Sequence, residues 1–433
     1  MIAFTAPSVL ESLHATTAGV QWFLASYSLT FGLGLVPAGR LGDAFGRRGL
    51  FVGGLLIFIA GAIASALAPA IWMLVAGRLL QGVGAGVISA QVLGIIQDAF
   101  HGGARIRALG AYSAAGALAA IAGPLAGGVL LWLFPVDVGW RLLLLGPVPF
   151  AIIAAWMGLR SLPRDERARR TRGLDLPGIA LLGTVVVIVT LPVIDPGIPA
   201  PAIVALVATA SALIAVLILW ERRYARGGRL PLFAAALMRS PGFLSGNVVA
   251  LLWFGSLIAF STVTTVYFLQ SLGIPALLIA AAFVPGSAAR FVASRVVSRL
   301  FDRFGPRLVP LGLAVEAAGL LLVVAATWLQ DGWLLFAAAA AIQIVLGFSG
   351  GVIEPPLRAI TLSFAPHGMH GVAASFLQLT QRLSATFFVA LTTGVLLSVG
   401  GRTSADSLRI AVLICTAAIV AALIAGRTRT RRD

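Results

Sequence analysis

Thirteen apolar runs, each about 20 residues long and parted by short polar stretches, constrain this chain more than any other feature. They lie at 17–38, 49–68, 71–95, 108–133, 141–160, 177–194, 201–220, 243–269, 275–297, 307–328, 332–354, 371–399 and 408–426. A run of this length crosses the hydrocarbon core as a helix, because in lipid the backbone must satisfy its own hydrogen bonds. A single water-soluble core is excluded: 59% of the residues are hydrophobic and 11% charged, against about 25% charged in an ordinary soluble domain. The expected fold is therefore an all-α polytopic membrane protein. A further apolar stretch, Met1 to Pro7, is too short to span.

Net charge is +16, and all 31 basic residues are arginine. They stand in short clusters between the apolar runs, which points to membrane topology and away from nucleic acid. With the loop after 17–38 placed in the cytoplasm, 25 arginines fall on that side, including the clusters 160–172, 222–239, 295–307 and 427–432. Arg141, Arg402 and Arg409 fall outside, and Arg78, Arg290 and Arg382 lie within spans. The C-terminus is then cytoplasmic. Trp22, Trp72, Trp132, Trp140, Trp328 and Trp333 fall near outer helix ends, as an interfacial belt does. The one cysteine, Cys415, lies in an apolar run and has no internal partner, and the N-terminus shows no basic stretch or cleavage site of a signal peptide.

The chain repeats itself. Gly39-Arg-Leu-Gly-Asp-Ala-Phe-Gly-Arg-Arg-Gly-Leu50 and Ser298-Arg-Leu-Phe-Asp-Arg-Phe-Gly-Pro-Arg-Leu-Val309 agree at six of twelve positions. Both fall between the second and third helix of a six-helix group, so the halves form a parallel repeat. The reading divides the chain into a six-helix bundle over 1–160 with an incomplete first helix, basic linkers with two extra helices over 161–239, and a second six-helix bundle with a basic tail over 240–433.

The first of these loops, with Gly39, Arg40, Asp43, Gly46, Arg47 and Arg48, resembles the cytoplasmic loop signature of the major facilitator superfamily. Ala-Gly-Arg78-Leu-Leu-Gln81-Gly82-Val-Gly84 is similar to its fourth-helix signature, and Gly123-Pro124-Leu-Ala-Gly127-Gly128 resembles the fifth-helix signature of its antiporters. Leu174-Asp175-Leu-Pro177-Gly178 and Tyr267-Phe-Leu-Gln270 resemble its fourteen-helix drug:proton antiporter family. The resemblance covers essentially the whole chain. It implies a secondary transporter of the inner (plasma) membrane that drives efflux of amphiphilic, often cationic compounds with protons by alternating access. The implied partners are a small-molecule substrate, protons and the lipid bilayer, with the protein a monomer. A degenerate, non-transporting member of the same fold, acting as a sensor or assembly partner, is the alternative.

Physical readings stand beside the resemblance. Asp43 suits the start of the next helix, where the dipole favours an anion, and Arg47 can pair with Asp43 or with Asp98. Such a cluster can latch one state of an alternating carrier. In the second copy Asp302, Gly305 and Arg307 remain and Arg303 stands in place of Ala44, but Ser298 replaces Gly39 and Pro306 replaces Arg47, which predicts a weaker latch. Pro124 removes a helix hydrogen bond, and its glycines leave room for a neighbouring backbone. Arg78, well inside a span, is costly unless paired or hydrated, and is expected to face a cavity near Gln81.

The second half holds Glu354, read as the end of the 332–354 span and followed by Pro355-Pro356 and Arg358, and Glu316, near mid-bilayer on a helix that is peripheral in the superfamily. Arg290 is a partner for either, and Arg382 matches an arginine common in the family. Of these acids Glu354 is the expected proton carrier, because its span lines the cavity in the superfamily. Trp22, Tyr27, Trp253 and Tyr267 are candidates to stack on an aromatic or cationic substrate. The four histidines, His14, His101, His367 and His370, read as solvated loop residues without metal-site spacing. No phosphate-binding Gly-x-x-x-x-Gly-Lys loop occurs. Neither metal nor cofactor is expected, and no nucleophile–base set suggests an enzyme. Met1–Pro7 matches only the outer end of the family's first helix; the expectation is that the start lies upstream and that a membrane Asp is carried there.

Overall fold

The computed structural model describes residues 5–163, 175–194, 198–227, 235–329, 331–366, 369–398 and 404–427. Among them every regular element is helical. A short α1 (Ala6–Ser12) precedes α2 (Thr17–Phe45), α3 (Arg48–Ala66), α4 (Ile71–Ala99), α5 (Gly102–Leu133), α6 (Val136–Leu145) and α7 (Val148–Ser161). Then come α8 (Leu176–Ile194), α9 (Ala200–Arg226), α10 (Ala235–Met238), α11 (Pro241–Gln270) and α12 (Ala276–Phe304). The chain continues through α13 (Leu308–Ala326), α14 (Gly332–Ser363), α15 (His370–Ser398) and α16 (Ala405–Arg427). Ten helical stretches among the described residues are long and apolar enough to cross a membrane, which makes this a multi-pass membrane protein.

The helices outrun the apolar runs that announce them, since α2, α4, α12 and α14 carry polar turns at their ends. Side chains cap several starts: Thr16 accepts from the Gly19 N–H at 3.1 Å, and Asp331 from Trp333 and Leu334 at 2.8 and 3.2 Å. The 141–160 run is not one helix. It breaks between α6 and α7 at Gly146-Pro147, where proline supplies no N–H to the helix ladder. Pro355 and Pro356, which mark an end in the sequence, instead lie inside α14. Neighbouring helices and side chains can satisfy backbone groups freed by such prolines.

The chain groups into two compact units that cross its sequence halves. Unit 1 holds the described residues of Met1–Asp98, Gly123–Met238 and Pro366–Leu379; unit 2 holds those of Ala99–Ala122, Arg239–Ala365 and Thr380–Asp433. In unit 1, α3 packs on α6 and α7, α2 on α8, and α8 on α9. Val9, Phe23, Ala66, Leu74, Trp140 and Leu144 form one of its cores. Trp140 is thus fully buried, unlike the exposed Trp72, Trp328 and Trp333 of the belt, and the Arg141 guanidinium lies 4.2 Å from its ring. The side chain of Trp132 lies outside the described residues. Asp175 shows what the Leu-Asp-Leu-Pro-Gly stretch does locally: its Oδ1 accepts from the Gly178 N–H at 3.0 Å and from Trp220 Nε1 at 2.8 Å, so it starts α8 and ties it to α9.

In unit 2, α12 packs on α14, α13 on α14 and α16, and α11 on α16 and α14. Trp253, Leu313, Ile353, Leu408 and Cys415 are fully buried there.

Candidate functional site

Unit 1 contains a joint built on the first repeat loop. α2 ends at Gly46, whose φ of 96° is left-handed and favours glycine. Gly305 ends α12 in the same place of the second copy with φ 59°, which explains why both copies keep this residue. Asp43 does not start the next helix, as the sequence suggests; it lies in the last turn of α2, one turn before Gly46, and points at the start of α15. Its Oδ1 accepts from the Gly371 N–H at 2.9 Å and its Oδ2 from the Val372 N–H at 3.0 Å. The carboxylate therefore caps a helix of the second half, where the dipole favours an anion.

Arg47 turns back on both acids. Its Nη2 lies 2.7 Å from Asp43 Oδ1, and its Nε bonds to Asp98 Oδ2. His370 Nδ1 meets the other oxygen of Asp98 at 2.7 Å. His370 is therefore not a solvated loop residue. It begins α15 and is drawn to a carboxylate that no sequence spacing links to it. Backbone approach is equally close here: a Cβ on Gly39 would overlap the Gly371 carbonyl and Ser375 Oγ. Arg48 donates to the Leu159 carbonyl, and Arg40 lies in the field of Glu221, Tyr224 and Asp175 from the extra helix pair.

The second copy has none of this density. Asp302, Arg303 and Arg307 are exposed, and the Arg303 guanidinium lies 5.4 Å from the Phe304 ring. Pro306 stands where Arg47 stands in the first copy, so the guanidinium that bridges two acids there has no counterpart at this position.

Arg78 is buried in unit 1. Its Nη1 donates to Gln81 Oε1 at 2.6 Å, and its guanidinium stands 4.4 Å from the Tyr27 ring and 5.8 Å from that of Phe23. Among the described residues no carboxylate lies within ion-pair distance of it. α5 runs unbroken through Gly123–Gly128; the side chains of Pro124 and Gly128 lie outside the described residues.

Two cavities of unit 2 are lined by its intramembrane charges. One of about 540 Å³ is lined by Tyr112, Ser113, Ser287, Arg290, Glu354 and Arg358. The other, of about 280 Å³, is lined by Ser256, Phe260, Ser287, Arg290, Glu316 and Gln343. Arg290 and Ser287 belong to both. Glu354 is not at a helix end, as the sequence suggests, but well inside α14. Arg290 Nη2 meets its Oε2 at 2.6 Å, Arg358 Nη2 meets Oε1 at 2.8 Å, and Ser113 Oγ donates to Oε2 at 2.9 Å. Arg290 thus pairs with Glu354 rather than Glu316. Glu316 Oε2 accepts from Trp253 Nε1 at 2.9 Å, with Ser349 Oγ at 3.2 Å.

Of the aromatic candidates, Trp253 is buried and committed to Glu316, Tyr267 is buried, and Tyr27 faces Arg78. Trp22 is 39% exposed. None of the four lines either cavity. Arg382 is exposed on α15. Sequence reading misses His370, Gly371, Ser113 and Arg358. Arg358 alone left a signal, as the i+4 neighbour of Glu354 on one helix. Among the described residues no cluster of metal-ligating side chains occurs. The Arg402 region and residues 428–433 of the basic tail lie outside the described residues, as does most of the 160–172 cluster.

The sequence model of the Major Facilitator Superfamily matches residues 1–389. A puromycin resistance protein of Streptomyces alboniger is 32% identical over 98% of this chain and 87% of its own length. A cephamycin export protein of Amycolatopsis lactamdurans is 31% identical over 94% and 82%, and a probable actinorhodin transporter of Streptomyces coelicolor 28% identical over 89% and 67%. Among solved structures, a proton:xylose symporter aligns with TM-score 0.68 at 15% identity, over 97% of this chain and 90% of that one. That likeness is one of fold.

Proposed function

We propose that this chain, which belongs to the Major Facilitator Superfamily and so to a family of transporters rather than enzymes, exports an amphiphilic small molecule by alternating access and couples that export to inward proton flow. The observation that carries the reading is the capping of α15 by Asp43. A charged loop that merely fixed orientation would face water; this one spends its carboxylate on two backbone N–H groups of a helix from the other half of the chain. Such a bond set can be made in one state and broken in another, as an alternating carrier requires. The export direction is supported by the named roles of the relatives in drug resistance and antibiotic export.

The remaining parts of the reading follow the same line. The protein sits in the plasma membrane as a monomer in contact with lipid, its halves being the six-helix bundles read over 1–160 and 240–433. The basic tail after Arg427 is cytoplasmic by arginine bias; a C-terminal fusion reporter active only outside the membrane would refute that orientation. Gly123–Gly128 takes part in the conformational change, and Arg78 with Gln81 orients substrate.

The experiment is efflux of puromycin and of ethidium from cells expressing the chain, repeated after a protonophore. Lower accumulation that the protonophore abolishes supports the reading. Accumulation equal to that of cells without the protein contradicts it.

A further inference from the structure

Two carboxylates lie inside membrane-spanning helices of unit 2, and their surroundings are opposite in kind. Glu354 is neutralised by the guanidinium groups of Arg290 and Arg358 and bonded by Ser113. A proton placed on it would weaken two charge-assisted bonds and leave two buried cations without their counter-ion. Glu316 carries no such commitment. Among the described residues no arginine or histidine lies within ion-pair distance of it, and its partners are the neutral donors of Trp253 and Ser349. Both act on Oε2, which leaves Oε1 to the cavity.

An ionised carboxylate held in a membrane helix by neutral donors alone is costly, whereas the neutral acid is not. The site is nonetheless open to exchange. Glu316 lines the cavity of about 280 Å³ together with Ser256, Ser287 and Gln343. That is room for several water molecules at about 30 Å³ each, with polar groups to hold them. The charged groups facing it are few. Arg290 on α12 lines the same cavity and is engaged with Glu354, and beyond it on α14 lies Arg358. α11 brings Trp253 and carries no charged residue. α16 brings Cys415, and its Asp406 and Arg409 lie at its start, where they pair with each other and Arg409 bonds to Thr327 just past the end of α13.

We propose that Glu316, and not Glu354, is the residue of this half that carries the transported proton, with Trp253 as its positioning residue; the proposal rests on the proton-coupled export put forward above. In the step itself an O–H bond forms at Oε1 with a proton delivered by cavity water. The same bond breaks when the proton returns to water on the other side, and no bond to substrate is made or lost. Loading and unloading Glu316 changes the charge beside Arg290, so the proton acts on the Arg290–Glu354 pair without titrating it.

The test is infrared difference spectroscopy of the full-length protein in liposomes, titrated with acid and base and with no substrate present. The wild type is expected to show a carboxylic-acid C=O band that titrates. The band is lost in Glu316→Gln, retained in Glu316→Asp and Glu354→Gln, and moved in midpoint by Trp253→Phe. A band that survives Glu316→Gln, one that disappears in Glu354→Gln from a monodisperse preparation, or no titrating band in the wild type overturns the proposal. In parallel, puromycin uptake into inverted vesicles under a pH gradient is expected to fall at least tenfold in Glu316→Gln while exchange without a gradient persists. Full accumulation by that variant also overturns the proposal. A wild type that moves no puromycin under any gradient defeats the export reading instead, and leaves the infrared result to stand on its own.

Discussion

The two repeat loops share Arg, Leu, Asp, Phe, Gly and Arg at matching places, and each ends its helix on a glycine of positive φ. Their aspartates have different fates. Asp43 is nearly buried, caps α15 and is bridged by Arg47 to Asp98. Asp302 is exposed and, among the described residues, makes no ion pair. Two differences account for this. Pro306 removes the guanidinium that Arg47 supplies, and Ser298 replaces the glycine that lets α2 approach the backbone of Gly371. The charged motif ties helices together where a bridging arginine and an open helix start are both within reach, as at Asp43, and not where they are absent, as at Asp302.

Under the export proposed above, the comparison predicts a graded series of defects, read as initial efflux of puromycin at matched membrane levels. Asp43→Asn has the largest effect. It removes the charge from two capping bonds and one ion pair, and bonds to charged groups contribute about 1.5–3 kcal/mol each, so export should fall by tenfold or more. Gly39→Val comes next. Its side chain forces apart α2 and the start of α15, at about 1–3 kcal/mol for an overpacked contact, and efflux should drop severalfold to tenfold. Arg47→Ala loses both acids but leaves the Asp43 cap in place, with a severalfold loss expected. His370→Ala removes a contact to a half-exposed Asp98, in the range of about 0–1 kcal/mol for surface pairs, for a change near twofold. Asp302→Asn should fall within twofold of wild type. Equal defects in Asp43→Asn and Asp302→Asn would break the comparison.

Much of the fold is legible in the sequence because hydrophobic length is a one-dimensional signal. Among the described residues each of the thirteen apolar runs is mainly helical, and the 141–160 run alone splits into two α-helices, at the Gly146-Pro147 pair that the run itself contains. The prolines after Glu354 mislead in the other direction: reading them as a stop places that acid at a helix end, whereas α14 continues to Ser363. The site is half legible. Asp43, Arg47 and Asp98 are found from their charge and loop position. Their partners Gly371, Val372 and His370 are not, because a backbone N–H carries no residue signature and sequence spacing says nothing about a contact between positions 43 and 371. Arg290 is foreseen as partner of one acid or the other, and which one depends on how α12 meets α14 and α13, a choice that side-chain type does not encode.

Backbone amide hydrogen exchange at the start of α15 tests the capping account most directly, since it needs no substrate and reads the Gly371 and Val372 N–H groups themselves. In the reconstituted protein these amides should exchange at least tenfold faster in Asp43→Asn than in wild type, and at wild-type rate in Asp302→Asn. Unchanged protection in Asp43→Asn, or the same acceleration in both variants, would contradict the claim that the first loop alone holds this helix.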